Sequence, residues 1–283
     1  VSDDLLIQFD ASHKKSETRG LSSYWYVNNG ADRPDASDLA NHKLYSQKWA
    51  FSDSEHDRVG SHFNWRMNDI FTLRGAVAYA EYTEEYAYTG PTVYSPGVYT
   101  QPLYAFAPID NEETSAYLFL DSAFDTGPLE HKITAGYQGN TARARQHTDH
   151  IDLAYQWVSV TDPLPIGSTQ QVAKPAYSVG NGDMRLASTS DTHSMLIGDV
   201  ITFNPQWSAV LGVVHSRIET FANDFIYGGG VTEYDKTKTS PNISLIYKPR
   251  TWLTTYATYI EGLEGGGIAP SGSIGVQPGT ALP

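Results

Sequence analysis

A two-residue alternation of apolar and polar side chains recurs along this chain, between very short turns and long polar connections. Near the start Leu5, Ile7, Phe9 and Ala11 fall on one face and Gln8, Asp10 and Ser12 on the other. Around Val59 the separation is cleaner. Val59, Phe63, Trp65 and Met67, with Ser61 among them, line one side, while Arg58, His62, Asn64 and Arg66 line the opposite side. A helix would scatter these charges in steps of about 100°, whereas a strand segregates them completely. The next such row sets Phe71, Leu73, Val77 and Tyr79 against Thr72 and Arg74, and a later one sets Ile133, Ala135 and Tyr137 against Lys132, Thr134 and Gln138. Trp207, Ala209, Leu211 and Val213 form another row, as do Ile243, Leu245 and Tyr247.

Four short connections separate these rows: Asn68-Asp69, Thr126-Gly127-Pro128, Asn204-Pro205-Gln206 and Pro249-Arg250. Asn, Asp, Gly and Pro supply the dihedrals that tight turns demand. Between them lie long polar stretches at 16–43, 87–111, 147–182, 223–232 and 262–283, expected as loops. Short turn and long loop therefore alternate, the asymmetry of outer-membrane barrels, whose short turns face the periplasm and long loops the exterior. Residues 70–86 and 206–222 read as near-continuous extended segments, well beyond the roughly 5–6 residues of an ordinary globular strand. The pattern predicts about nine strands, mostly paired as up-and-down hairpins. The expected fold class is all-β, an antiparallel up-and-down transmembrane β-barrel. Trp65, Phe71, Phe203, Trp207 and Tyr247 lie close to the short turns, where an interfacial aromatic girdle belongs.

Composition agrees with this reading and excludes others. No apolar run approaches the roughly 20 residues of a membrane-spanning helix, and no basic start precedes an apolar signal core. A mean hydropathy of −0.39 does not argue against a membrane barrel, because only every second residue meets lipid. Nineteen tyrosines, ten phenylalanines and six tryptophans suit strands and membrane interfaces. A net charge of −13 and no basic stripe disfavour nucleic-acid binding.

These rows also resemble a known family. Lys238–Gly262, KTSPNISLIYKPRTWLTTYATYIEG, is similar to a hairpin of TonB-dependent siderophore receptors: a Pro-led strand ending in Tyr-x-Pro, a turn, then Trp-Leu and alternating tyrosines. Phe124–Gly139, FDTGPLEHKITAGYQG, resembles the same family's Thr-Gly turn, followed by a His and a strand centred on Gly. Pro34–Tyr82 is similar to an extracellular segment and the hairpin after it, and Gln206–Ser216 to the family's Trp-x-x-x-x-Gly strand. One departure is Val214, where an Arg often stands in the family.

The resemblance implies a receptor and transporter for ferric siderophores in the bacterial outer membrane. It implies energy delivered by the TonB complex through a plug, outer-membrane lipid as surroundings, no enzymatic activity and no resident cofactor, the ferric siderophore being cargo. Such barrels close with about 22 strands around a plugged lumen, so residues 1–283 are expected to be an interior portion of the barrel without plug or closing strands. Arg58, Arg66, Arg74 and Lys132 should then face the lumen by alternation. A passive porin-like channel and a surface-displayed β-rich binding or adhesin module are the alternatives.

Enzyme motifs are thin. Asp125-Thr126-Gly127 spells the aspartic-protease triplet, but no second copy exists to share a proton, and a turn is the simpler reading. His147-Thr148-Asp149-His150 offers metal-ligand types without a partner set, and no metal site is expected. Gly228-Gly229-Gly230 and Gly265-Gly266-Gly267 lack the Lys-Ser/Thr of a phosphate loop. The candidate ligand-binding residues are aromatics of the long loops: Trp25 and Tyr26 beside Tyr24, then Tyr94, Tyr99 and Tyr104, then Trp157. Tyr and Trp offer large contact area at low entropic cost, although clustered aromatics also stabilise compact loops by packing on one another.

Overall fold

Alternation of this kind commits a chain to strands whose two faces meet different surroundings, and a computed structural model of the protein has that form. It describes residues 4–21, 24–28, 30–147, 161–176, 183–224 and 230–265. Thirteen strands are present among them: β1 (Leu5–Arg19), β2 (Tyr26–Val27), β3 (Phe51–Arg66), β4 (Phe71–Thr89), β5 (Thr92–Ser95), β6 (Val98–Thr100), β7 (Leu103–Thr126), β8 (Leu129–His147), β9 (Leu164–Pro165), β10 (Met184–Asn204), β11 (Trp207–Asp224), β12 (Gly230–Arg250) and β13 (Leu253–Ile260). The expected nine long strands are β1, β3, β4, β7, β8, β10, β11, β12 and β13, hydrogen-bonded in that order into one sheet. Every adjacent pair is antiparallel. Among the described residues β1 and β13 are its edges and do not pair with each other, so the sheet is a partial barrel.

Register carries the sequence alternation across the whole sheet. One cross-strand row runs Ile7, Phe63, Gly75, Leu118, Tyr137 and Met195. The neighbouring row, one residue out of phase, runs Gln8, His62, Ala76, Tyr117, Gln138, Ser194, Ser216 and Lys238. A slip of one residue in any strand would exchange its two faces, so the apolar rows fix the register. The apolar face is left open: Val59, Val77, Leu118, Met195, Ile197, Leu211, Ile243 and Leu245 are all exposed. In water so broad an apolar surface would aggregate; facing lipid, it is what a transmembrane barrel requires.

The short turns lie together at one end, joining β3 to β4, β7 to β8, β10 to β11 and β12 to β13. Two share one chemistry. The Asn68 side-chain oxygen accepts from the backbone N–H of Ile70 and Phe71, both at 2.9 Å. Asn204 accepts likewise from Gln206 at 2.9 Å and Trp207 at 3.0 Å. Asx turns of this type reverse the chain without a long loop. The third turn places Gly127 at φ 61°, where a side chain would be strained. The fourth falls two residues later than expected: β12 continues through Pro249 and Arg250, with a register shift between Tyr247 and Arg250, and Thr251-Trp252 makes the turn. At this end Trp207 and Tyr247 are cross-strand partners, their rings stacked at 4.2 Å.

At the other end the structure corrects the sequence reading. A tilted strand of about 9–11 residues crosses the hydrocarbon core, yet β7 has 24 residues, β10 and β12 have 21 each, and β4 has 19. Each is about twice the length that such a crossing needs. The stretch 87–111, expected as one polar loop, is instead the end of β4, the short strands β5 and β6, and the start of β7. β1 likewise continues to Arg19, inside the expected loop at 16–43. The polar side chains there misled because a strand above the membrane needs no apolar face.

That end also holds the molecule's buried core. Ala50, Ala87, Val93, Tyr99, Leu103, Ala105 and Ala107 are buried, together with Ser46, Gln47, Thr89, Thr92, Gln101 and Thr161. β2, β5, β6 and β9 form a small sheet here, β2 and β5 running parallel. Gln47 ties three connections together: its amide nitrogen donates to Gln101 Oε1 at 2.6 Å and to the Gln170 carbonyl at 2.8 Å, and its oxygen accepts from the Val172 N–H at 2.9 Å. Most buried polar side chains in folded proteins are hydrogen-bonded in this way.

Candidate functional site

The loop-end aromatics divide into two groups. Behind the small sheet, Trp25 packs on Tyr45 at 5.2 Å and on Tyr99 at 4.8 Å. Tyr99 is wholly buried, and its hydroxyl donates to the Ser168 carbonyl at 2.8 Å. Burial pushes the Tyr99 phenol above its ordinary pKa, with a hydrogen bond to Gln101 opposing it. Tyr99 is thus a core residue of the loop assembly and Trp25 its neighbour.

The second group is an open tier built by β4 and β7. Tyr86 and Tyr88 are two residues apart on β4 and so share a face; opposite them β7 sets Phe106 and Tyr104 in register. Tyr86 stacks on Phe106 at 4.5 Å and Tyr88 on Tyr104 at 5.1 Å, and Tyr26 tilts against Tyr104 at 6.3 Å. Tyr86 lies opposite Ser52 of β3, which alternation places on the same face as Arg58 and His62. The tier therefore continues the sheet's polar face upward. Burial, then a hydrogen bond to Tyr26, push the Tyr88 phenol well above its ordinary value, and burial raises Tyr104 and Tyr94 as well.

Between this tier and the segment carrying Tyr24 lies a cleft of ≈560 Å³, lined by Leu21, Tyr24, Tyr26, Ser52, Glu84, Tyr86 and Tyr88. The Ser52 hydroxyl donates to Glu84 Oε1 at 2.9 Å. This volume lies within the range of small-molecule sites, which combine aromatic walls with a few polar anchors.

Of the residues singled out from sequence, Tyr26 lines the cleft, and Tyr104 stands in the tier beside it. Trp25 and Tyr99 form the packing behind, Tyr94 is exposed near Tyr104, and Trp157 lies outside the described residues, as do residues 148–150 after His147. Tyr86, Tyr88, Phe106, Ser52 and Glu84 were missed. The signal was present in Tyr82-Thr83-Glu84-Glu85-Tyr86-Ala87-Tyr88, which keeps period-2 order past the point where the apolar face ends.

Nearer the short turns, Arg58, Arg66, Arg74 and Lys132 all lie on the polar face, as alternation predicts. Each has an acidic partner that sequence alone did not name. Arg58 pairs with Asp10, and Arg66 with Asp4 through Nε at 2.8 Å. Arg74 Nε donates to Asp121 at 2.6 Å, with its guanidinium 4.7 Å from the Phe119 ring centroid. Lys132 reaches Glu130 at 3.0 Å. Thr134 completes the set by donating to Asp121 at 2.6 Å. On the same face a cavity of ≈370 Å³ is lined by Arg58 and Tyr117 together with small or amide side chains such as Ala76, Ala78, Ser115 and Asn140. The Asp125-Thr126-Gly127 triplet is the end of β7 and its turn, with Thr126 Oγ1 bonded to His131 at 2.6 Å. Among the described residues no group of three or more His, Cys, Asp and Glu side chains is arranged to hold a metal ion.

An antiparallel sheet with an open apolar face, an aromatic girdle at its short-turn end and a polar opposite face defines the class of transmembrane β-barrels of outer-membrane type. Within that class, residues 3–281 match the family model described as TonB dependent receptor-like, beta-barrel, and the chain belongs to that family. Among its relatives is the ferrichrome receptor FcuA of Yersinia enterocolitica, 23% identical over 230 residues, which are 80% of this chain and 29% of the receptor. The crystal structure of BauA, the ferric preacinetobactin receptor of Acinetobacter baumannii, superposes with a TM-score of 0.78 at 20% identity, covering 100% of this chain and 41% of BauA. The siderophore receptor PiuA of the same organism gives a TM-score of 0.66 at 16% identity, over 91% of this chain and 39% of PiuA. The chain thus spans less than half the length of these relatives. The relatives are receptors, not enzymes.

Proposed function

We propose that the protein is an outer-membrane receptor that imports a ferric siderophore, energised through the TonB complex, in a Gram-negative cell. The observation that carries this reading is the position of the aromatic cleft. It opens on the polar face of a barrel of this family, at the end opposite the short turns, where the exterior lies. An organic chelate arriving from outside would meet Tyr26, Tyr86 and Tyr88 before it met the lower part of the polar face. Ferrichrome and preacinetobactin chelates are the named ligands of relatives, which supports the class of cargo and not its identity.

In this reading the polar face is the lumen wall, and the small-residue cavity beneath the cleft leaves room for a plug to pack. Iron enters as cargo inside its chelate; no resident cofactor and no catalytic step are invoked. The test is growth. An iron-starved strain lacking its own siderophore receptors, complemented with the full-length gene, is offered a panel of ferric siderophores singly. Growth on at least one, lost when the TonB complex is deleted, is the expected result; growth on none removes siderophore import as the function.

A further inference from the structure

The cleft carries charge of one sign only. Among its lining residues Glu84 is the sole charged side chain, and four tyrosines, Tyr24, Tyr26, Tyr86 and Tyr88, supply most of the remaining wall. The Glu84 carboxylate is held from two sides, by the Ser52 hydroxyl at 2.9 Å and by the Tyr82 hydroxyl. Two nearby cations are committed elsewhere, and a third, Arg33, lines the adjoining pocket that shares Tyr24 rather than the cleft itself. Arg19 is paired with Asp53, and both Arg19 and Lys174 sit over the Phe51 ring, at 5.5 and 5.0 Å. Asp53 and Phe51 are odd-numbered positions of β3, so they belong to the opposite face from Ser52. His56, two steps down the face of Ser52, packs against Tyr82 at 6.4 Å.

A carboxylate set among tyrosine rings, with no cation lining the cleft to neutralise it, is chemistry that attracts a positive charge. Ring faces draw cations electrostatically, and a fixed carboxylate adds a charge-assisted hydrogen bond. The same site repels an anion. We propose that the cleft receives a cationic arm, a primary ammonium or a comparable group, of a ferric chelate whose net charge is zero or positive. This rests on the import reading above and narrows it: hydroxamate-type chelates bearing an amine fit, while tris-catecholate chelates of high negative charge do not.

The test uses the full-length receptor purified in detergent, with binding read as quenching of its intrinsic fluorescence. The probes are a ferric trihydroxamate bearing one primary amine, the same chelate with that amine acetylated, and a ferric tris-catecholate. The amine-bearing chelate should bind about tenfold tighter than its acetylated form, and Glu84→Gln should remove that advantage. Glu84→Asp, which keeps the charge, should restore part of it. Equal binding of the amine and acetyl forms, or tighter binding of the tris-catecholate with no effect of Glu84→Gln, overturns this inference and leaves import standing. Binding of none of the three probes or of any other ferric chelate overturns both.

Discussion

Tyr88 both packs within the aromatic tier and lines the cleft. Its ring is stacked between Tyr86 and Tyr104, and its hydroxyl is shielded and bonded to Tyr26, which holds the phenol protonated beyond its ordinary range. The linkage has a definite sign. A raised folded-state pKa means that the unfolded chain loses its proton first, so the stabilisation is complete below pH 10.0, the ordinary phenol value, and is lost as pH rises through the folded value. Absorbance near 295 nm on alkaline titration should therefore show a set of tyrosines ionising late, at a pH where the loop assembly also opens to protease. Tyr88→Phe should remove one phenol from that late set. A different outcome is expected for Arg74, whose pairing with Asp121 and contact with Phe119 are part-exposed. Arg74→Ala should cost about 1 kcal/mol, measured by urea unfolding of the full-length protein, because exposed ion pairs and cation–π contacts contribute little individually. That Arg58, Arg66, Arg74 and Lys132 share a face was legible from spacing alone. Their partners Asp4, Asp10 and Asp121 were not, because pairing depends on a register that joins residues up to 62 positions apart.

Among the elements, the strands were the most legible part, since lipid on one side and water on the other enforce alternation over the membrane-spanning portion of each. Two limits of that rule account for the misreadings. Above the membrane the apolar face is no longer required, so 87–111 looked like a loop while the backbone ladder continued to Thr89 and resumed at Leu103. At Pro249 a turn-forming residue sits in a strand end next to a register shift, a place where sheets tolerate proline. The loop-end core was invisible in sequence, because Gln47, Gln101 and Gln170 become one network only after three separate connections meet. Gln47→Ala leaves Gln101 and the Val172 N–H without this partner and should cost about 2 kcal/mol locally. Hydrogen exchange should quicken around 165–173 and 99–102, with the membrane strands unchanged. Close strand packing makes a second prediction at this scale. A Cβ on Gly136 would lie 2.1 Å from the Leu118 carbonyl oxygen, whereas one on Gly198 would meet nothing nearer than 3.6 Å. Gly136→Ala should destabilise by about 1–3 kcal/mol and lower the temperature at which the full-length barrel loses its heat-modifiable gel mobility; Gly198→Ala should leave that temperature nearly unchanged.

At the scale of the whole molecule, the nine strands form a partial barrel whose edges β1 and β13 do not pair with each other among the described residues, and the chain spans less than half the length of its relatives. In the proposed reading the apolar face meets the membrane, the polar face is a lumen wall, and the aromatic cleft stands at the outer mouth. Import against a gradient separates this reading from a passive channel of similar architecture. The most direct measurement is uptake of radiolabelled iron, presented with a panel of siderophores, by cells carrying the full-length gene, with and without collapse of the proton-motive force. The account predicts accumulation with at least one chelate and its loss on collapse. Accumulation that survives collapse, or none with any chelate, would contradict it.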